Sequence, residues 1–177
     1  RLVIQRGKGT FVPTAQEPIE IHLASISHFS VLSSDLQENA ELLSCDVRKG
    51  EKANREETEV RFRLFDKGIP YALCRSLVPV PFFPNLAPDL KSGRPLLERT
   101  ANRYAYLPNR AKVRILVRAS TEAEARRLRM SRSSPVLVLQ IQYLSRSGDV
   151  CERSETVLRA DRCVLDFDSS RSGASAP

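Results

Sequence analysis

The sequence predicts an α+β fold: a mostly antiparallel β-sheet with short helices on one face. Three observations predict it. Residues 60–79 read as a β-hairpin, because Val60, Phe62 and Leu64 alternate with Arg61 and Arg63, and Asp66-Lys67-Gly68 supplies the turn. Residues 135–158 read as a second hairpin, two β-rich runs around Gly148. The helical stretches between strands are short. Strands joined by hairpin turns favour antiparallel pairing, with helices covering a face.

Each element follows in order. Residues 1–13 form a small hairpin, runs 2–5 and 10–12 around the basic turn Arg6-Gly7-Lys8-Gly9. A positive tip of this kind suits phosphate contact or a minor groove. An isolated two-stranded hairpin is marginal in water, so it reads as the end of a larger unit. Residues 14–22 carry two prolines and read as a linker. Phe29, Leu32 and Leu36 at helical spacing predict a helix over 28–39, stopped by Asn39. A strand follows at 41–47. Residues 48–58 are almost wholly polar and read as a loop or an exposed strand end.

In the central hairpin, Pro79, Pro81 and Pro84 end the return strand, since proline cannot donate to a ladder. Residues 82–90 predict a loop and one helical turn, and 95–102 a short helix with Leu96, Leu97 and Ala101 on one side. Residues 112–119 predict a strand with Val113, Ile115 and Val117 on one face. Thr121-Glu122-Ala123-Glu124 is a capping box opening a helix to about Met130, which buries Ala125 and Leu128. The second hairpin and a last strand at 162–167 complete the domain, 23–168. The serine, glycine and alanine of 169–177 read as a disordered tail.

The chain has 177 residues, enough for one domain with a real core. Its 28 Lys+Arg against 21 Asp+Glu give a net charge of +7, compatible with an anionic ligand or polyanionic partner. No apolar run reaches the length of a membrane span. Cys45, Cys74, Cys151 and Cys163 are scattered, with no C-x-x-C pair and neither His22 nor His28 nearby, so no zinc site or other cofactor is expected. Such cysteines fit small core residues in a reducing compartment, and the chain reads as soluble and cytoplasmic. No nucleophile elbow or triad context accompanies the serines and histidines.

Arg61 and Arg63 stand side by side on one strand face, with Arg75 on the return strand. They form either a solvated sheet face or an anion-binding one.

The motifs resemble a known family. Gly7-Lys8-Gly9-Thr10-Phe11-Val12 resembles the wing of the winged-helix DNA-binding domain of GntR-type bacterial regulators. That likeness places the recognition helix before Arg1 and gives Arg6 and Lys8 a DNA-contacting role. From His28-Phe29-Ser30, through residues 61–79, Ser134-Pro135-Val136-Leu137, Gly148 and Glu152 to Arg159-Ala160-Asp161-Arg162, the rest resembles the UTRA effector-binding domain of the HutC branch. The resemblance implies a chorismate lyase-like fold, a homodimer, and a small effector that alters operator binding, in a repressor. Phe82-Phe83-Pro84-Asn85-Leu86 leans toward the phosphonate-type regulators.

Carried over residue by residue, Arg61 and Arg63 are the anion-contacting arginines, Asn109 a polar contact, and Glu152 an acceptor for ligand hydroxyl or amine groups. Arg75, Arg110, Lys112 and Arg114 are additions of this chain, and Arg75 and Arg114 join the candidate ligand set. The expected site is an enclosed hollow in which Arg61 and Arg63 grip an anion and Glu152 selects it. Two departures stand out. Cys74 occupies a usually acidic position, and the stretch 46–60 is shorter than the family's. The alternatives are a chorismate lyase-like enzyme acting on a carboxylated substrate and a general nucleic-acid-binding module. The second is disfavoured because no aromatics interleave with the basic residues.

Overall fold

The structure, a computed structural model, describes residues 3–5, 9–11, 17–23, 29–33, 39–50 and 55–167. Its centre is a six-stranded sheet. Along the chain these strands are β4 (Ala40–Lys49), β5 (Glu56–Asp66), β6 (Ile69–Pro79), β7 (Arg110–Ala119), β8 (Pro135–Leu144) and β9 (Val150–Arg159). Their spatial order is β4-β5-β6-β9-β8-β7, and every pairing is antiparallel. The two hairpins thus sit side by side through β6 and β9. Two smaller pairs accompany the sheet. β1 (Val3–Gln5) pairs antiparallel with β2 (Gly9–Phe11), as expected, and the turn carrying Arg6 and Lys8 lies outside the described residues. β3 (Ile19–His22) pairs parallel with β10 (Cys163–Asp166).

Local chemistry explains the turns. β5 and β6 are joined by two residues, Lys67 and Gly68, with φ of 48° and 76°. Two successive positive φ values match the twist of the flanking strands, and glycine takes one without a Cβ penalty. Gly148, at φ 90°, does the same where Ser145 N–H reaches the Asp149 carbonyl at 2.9 Å.

Strand alternation gives the sheet two faces. On the inner face Val60, Phe62, Cys74, Leu139 and Ile141 join Ile21, Phe29, Val31, Leu32, Phe83 and Leu86 in the main core. Helix α1 (Leu86–Lys91) lies on this side, and α2 (Leu96–Arg99) and a 3-10 turn (Tyr104–Tyr106) follow it in the chain. All four cysteines are buried and unpaired. Burial pushes the Cys74, Cys151 and Cys163 thiols up to about 12, so they are not nucleophiles at neutral pH.

Helix α3 (Glu122–Arg127) lies on the opposite, outer face, where Leu128 packs with Leu73, Val138 and Val157. The sheet carries helices on both faces because three of its strands, β6, β8 and β9, place these apolar residues outward. The capping box is present as read: Thr121 Oγ1 accepts from the Glu124 amide at 3.2 Å, and Glu124 accepts from the Thr121 amide at 2.8 Å. Thr121→Ala should cost about 1 kcal/mol in a urea-unfolding midpoint, the usual value of a lost cap.

Arg118 donates to both oxygens of Glu124 at 2.7 Å. These bonds hold the carboxyl down to about 2 from an ordinary 4.5. A depressed folded value favours the native state most above 4.5, and this contribution is lost as pH falls from there through about 2. Glu124→Gln should therefore flatten that part of the acid-unfolding curve.

Three expectations change. The helix over 28–39 is not formed at 29–33, which makes a tight turn. Phe29, Ser30, Val31 and Leu32 are all at most 1% exposed, so these four residues are wedged into the core and leave no solvent face of a helix between them. The polar stretch 48–58 contributes to two strands. Its charges pair across them, as in Arg48 with Glu57 at 4.0 Å, and the pairing supplies what apolar alternation did not signal. Ile19–His22, inside the expected linker, forms a strand because Ile21 is buried and the Ile19 amide donates to the Arg162 carbonyl at 2.7 Å. The expected tail lies outside the described residues.

Candidate functional site

The outer face is built in rows, because each strand contributes every second side chain to it. The row nearest α3 is Arg63, Leu73, Val157, Val138 and Leu116, largely apolar and largely covered. The next row is Arg61, Arg75, Glu155, Gln140 and Arg114. The third is Glu59, Leu77, Arg153, Gln142 and Lys112. Among the described residues no helix covers these last two rows, and a cavity of about 600 Å³ opens over them. β6 and β7 stand three strand spacings apart, roughly 14 Å. The groove is therefore wide enough for a small metabolite.

Its charges are unevenly satisfied. Glu59 accepts from Arg75 and, at 3.0 Å, from Arg61. Burial alone would raise the Glu59 carboxyl, but these bonds, Arg75 first, outweigh it and hold the group below 4.5. Arg153 pairs with Glu57. Gln140 donates to Glu155 at 3.4 Å. Lys112 and Arg114 are exposed and have no carboxylate partner among the described residues. The β7 side of the groove therefore holds two free cations, and the β6 side two engaged ones. Arginine forks meet carboxylate or phosphate oxygens two at a time, so the arrangement can hold a small anion.

The sequence-derived set divides. Arg61, Arg75 and Arg114 share one row, and Arg75 and Arg114 line the cavity. Arg63 lies on the same face but its donors are used: Nε goes to Glu41 at 3.0 Å, Nη1 goes to the Arg127 carbonyl at 2.9 Å, and the guanidinium stacks 4.9 Å over Phe65. Asn109 lies apart, beside Tyr104, Arg146 and Ser147 at a second cavity, with its backbone N–H donating to the Leu144 carbonyl at 2.8 Å. Glu152 is fully buried on the inner face, where its oxygens accept from Ser30 Oγ at 2.5 Å and the Val31 amide at 3.1 Å.

The single hollow formed by Arg61, Arg63 and Glu152 is thus corrected: the sheet itself separates the two arginines from the glutamate. Sequence reasoning did not select Gln140, Gln142, Arg153 and Glu155 for the site. Their signal is the alternation Leu-Gln-Ile-Gln-Tyr in β8 and Arg-Ser-Glu in β9, polar against apolar or small.

A UTRA domain matches residues 52–163, and the chain belongs to that family. The class of protein is a ligand-binding regulatory domain. Among solved structures, the chain is similar to PhnF from Mycobacterium smegmatis, with TM-score 0.75 and 16% identity over 96% of this chain and 78% of that one. It is also similar to the C-terminal domain of Yurk from Bacillus subtilis, with TM-score 0.68 and 12% identity over 85% and 99%. A transcriptional regulator of the GntR family from Enterococcus faecalis gives TM-score 0.59 and 15% identity over 73% and 99%. At these identities the likeness establishes the shared α+β fold. No curated protein matches the sequence. Among the described residues, no helix is long and apolar enough to cross a membrane.

Proposed function

We propose that the chain is the effector-binding half of a cytoplasmic GntR-type transcription regulator of the HutC branch, acting as a repressor. The outer groove takes a small anionic metabolite, with Arg75 and Arg114 as principal contacts and Lys112 beside them. The observation that carries this is the gathering of Arg75 and Arg114 in one open row, with the β7 cations unpaired. UTRA membership and the fold shared with PhnF support a sensor in place of an enzyme. The β1–β2 pair at Gly9–Phe11 supports the wing reading and, with it, operator DNA as the second partner.

The effector acts only if it binds one geometry of the regulator better than another, since equal binding shifts nothing. In a homodimer that geometry sets the spacing of two winged helices on a palindromic operator. Val113, Ile115 and Val117 on the edge strand β7, 36%, 42% and 68% exposed, support an association surface there.

The test is a thermal-shift screen with phosphonates, phosphate esters and small carboxylates. One class should stabilise the domain, by about 2.7 kcal/mol at a hundredfold excess over Kd. No shift with any class would overturn the groove. Turnover of a carboxylated ring substrate would reassign the domain as a lyase-type enzyme.

A further inference from the structure

The segment around the 3-10 turn and the turn between β8 and β9 face each other across the second cavity, of about 590 Å³, whose walls include Tyr104, Leu107, Pro108, Asn109, Arg146 and Ser147. It shares no lining residue with the outer groove. Both walls are fixed. Tyr106 stacks on Phe82 with ring centres 4.6 Å apart, and Tyr106, Phe82 and Leu107 pack against the main core. On the other side, the Gly148 backbone N–H donates to the Ser145 carbonyl at 3.0 Å, the Ser145 and Ser147 hydroxyls stand 2.8 Å apart, and Ser147 Oγ donates to Asp149 Oδ2 at 2.7 Å. The backbone bond from Asn109 to Leu144 ties the two walls together.

Among the described residues, the Arg146 guanidinium and the Asn109 side-chain amide have no hydrogen-bond or ion-pair partner, and both residues are exposed. Arg110, likewise unpartnered, brings Nη2 within 3.8 Å of where a Cβ on Gly148 would stand, so a second guanidinium flanks the same turn. Asp149 is the one carboxylate of that turn, and Ser147 engages it. The Tyr104 ring is 59% exposed, beside Leu107 and Pro108. We propose that this cavity is an accessory site for a small aromatic ring bearing a carboxylate or phosphate. The ring lies on Tyr104, Leu107 and Pro108, and the anionic group meets Arg146, with Asn109 donating beside it. A guanidinium fork meets such oxygens two at a time, and an exposed aromatic ring offers a stacking face. A cavity of several hundred Å³ with apolar walls and a few polar groups suits a small ligand, and walls already fixed spare the cost of ordering them. This inference is independent of the anion groove.

An amide-resolved NMR titration of the whole chain tests it, with benzoate and phenyl phosphate as probes and acetate and inorganic phosphate as ringless controls. At least one ring probe should move the backbone signals of residues 104–109 and 145–149. A response to benzoate alone assigns a carboxylate, and a response to phenyl phosphate alone assigns a phosphate; either supports the site. Arg146→Gln should weaken that binding by about tenfold or more, and Tyr104→Ala by about fivefold. Both side chains are exposed, so both variants should fold as the unaltered chain does. No movement at these two turns with either ring probe at millimolar concentration would overturn the site. So would equal binding of the ringless controls, or unchanged affinity in Arg146→Gln. Movement confined to the outer groove would overturn it too, while leaving the groove's own role intact.

Discussion

Replacing Arg75 and Arg114 together with alanine is expected to weaken binding of the anionic effector by roughly a hundred- to ten-thousandfold. Each charge-assisted hydrogen bond contributes about 1.5–3 kcal/mol, and each 1.4 kcal/mol is a factor of about ten. The two residues stand three strand spacings apart in one row, so their losses should add in large part. The two single variants should differ. Arg114 has no carboxylate partner among the described residues, so its loss removes a free cation and nothing else. Arg75 shares Glu59 with Arg61, so its loss also exposes the guest to a less neutralised carboxylate. Stability should change little in Arg114→Ala, because the residue is exposed. Isothermal titration at two salt concentrations is the measurement, with affinity falling at the higher one. Affinity within threefold of the unaltered chain would remove both residues from the site.

Phe62→Ala should cost about 3–5 kcal/mol in chemical denaturation, a large part of the 5–15 kcal/mol that holds a typical domain together. Phe62 is 0% exposed and its ring lies in the main core with Val60, Cys74 and Leu139. Deleting it loses the transfer of its ring from water and leaves a cavity that a sheet held on both sides cannot close. Its neighbour provides the control. Arg61 points to the outer face and its ion pair with Glu59 is half-exposed, so Arg61→Ala should cost under about 1 kcal/mol. Two adjacent residues with such unequal costs are what a two-faced strand requires. Equal costs would refute the assignment of faces on which the groove depends.

The alternation of Val60, Phe62 and Leu64 with Arg61 and Arg63 was legible because burial of one strand face writes itself into every second residue. The capping box at Thr121 and Glu124 was legible because it lies within four residues, and Gly68 because a two-residue turn needs positive φ. The segment at 29–33 was not. Phe29 and Leu32 have helical spacing, yet they are buried in the main core while Ser30 and Val31 between them bond to Glu152 of β9, which is remote in sequence. The paired charges of 48–58 likewise look like a loop until β5 and β9 are placed beside them.

For the site, residue types could be read and partners could not. Arg75, Arg114 and Glu152 carry the right chemistry in the sequence, and a period of two says which neighbours share a face within one strand. Nothing local says how one strand's faces align with another's. The order β4-β5-β6-β9-β8-β7 and its registers did that, joining Arg75 to Arg114 across four strands and setting Glu152 behind the sheet. Sequence by itself determined the central strands of the sheet, the two hairpin turns and the two-faced pattern, because those depend on near neighbours and on burial. Tertiary structure alone decided which charges meet, because hydrogen-bonded register between distant strands is a property of the folded sheet.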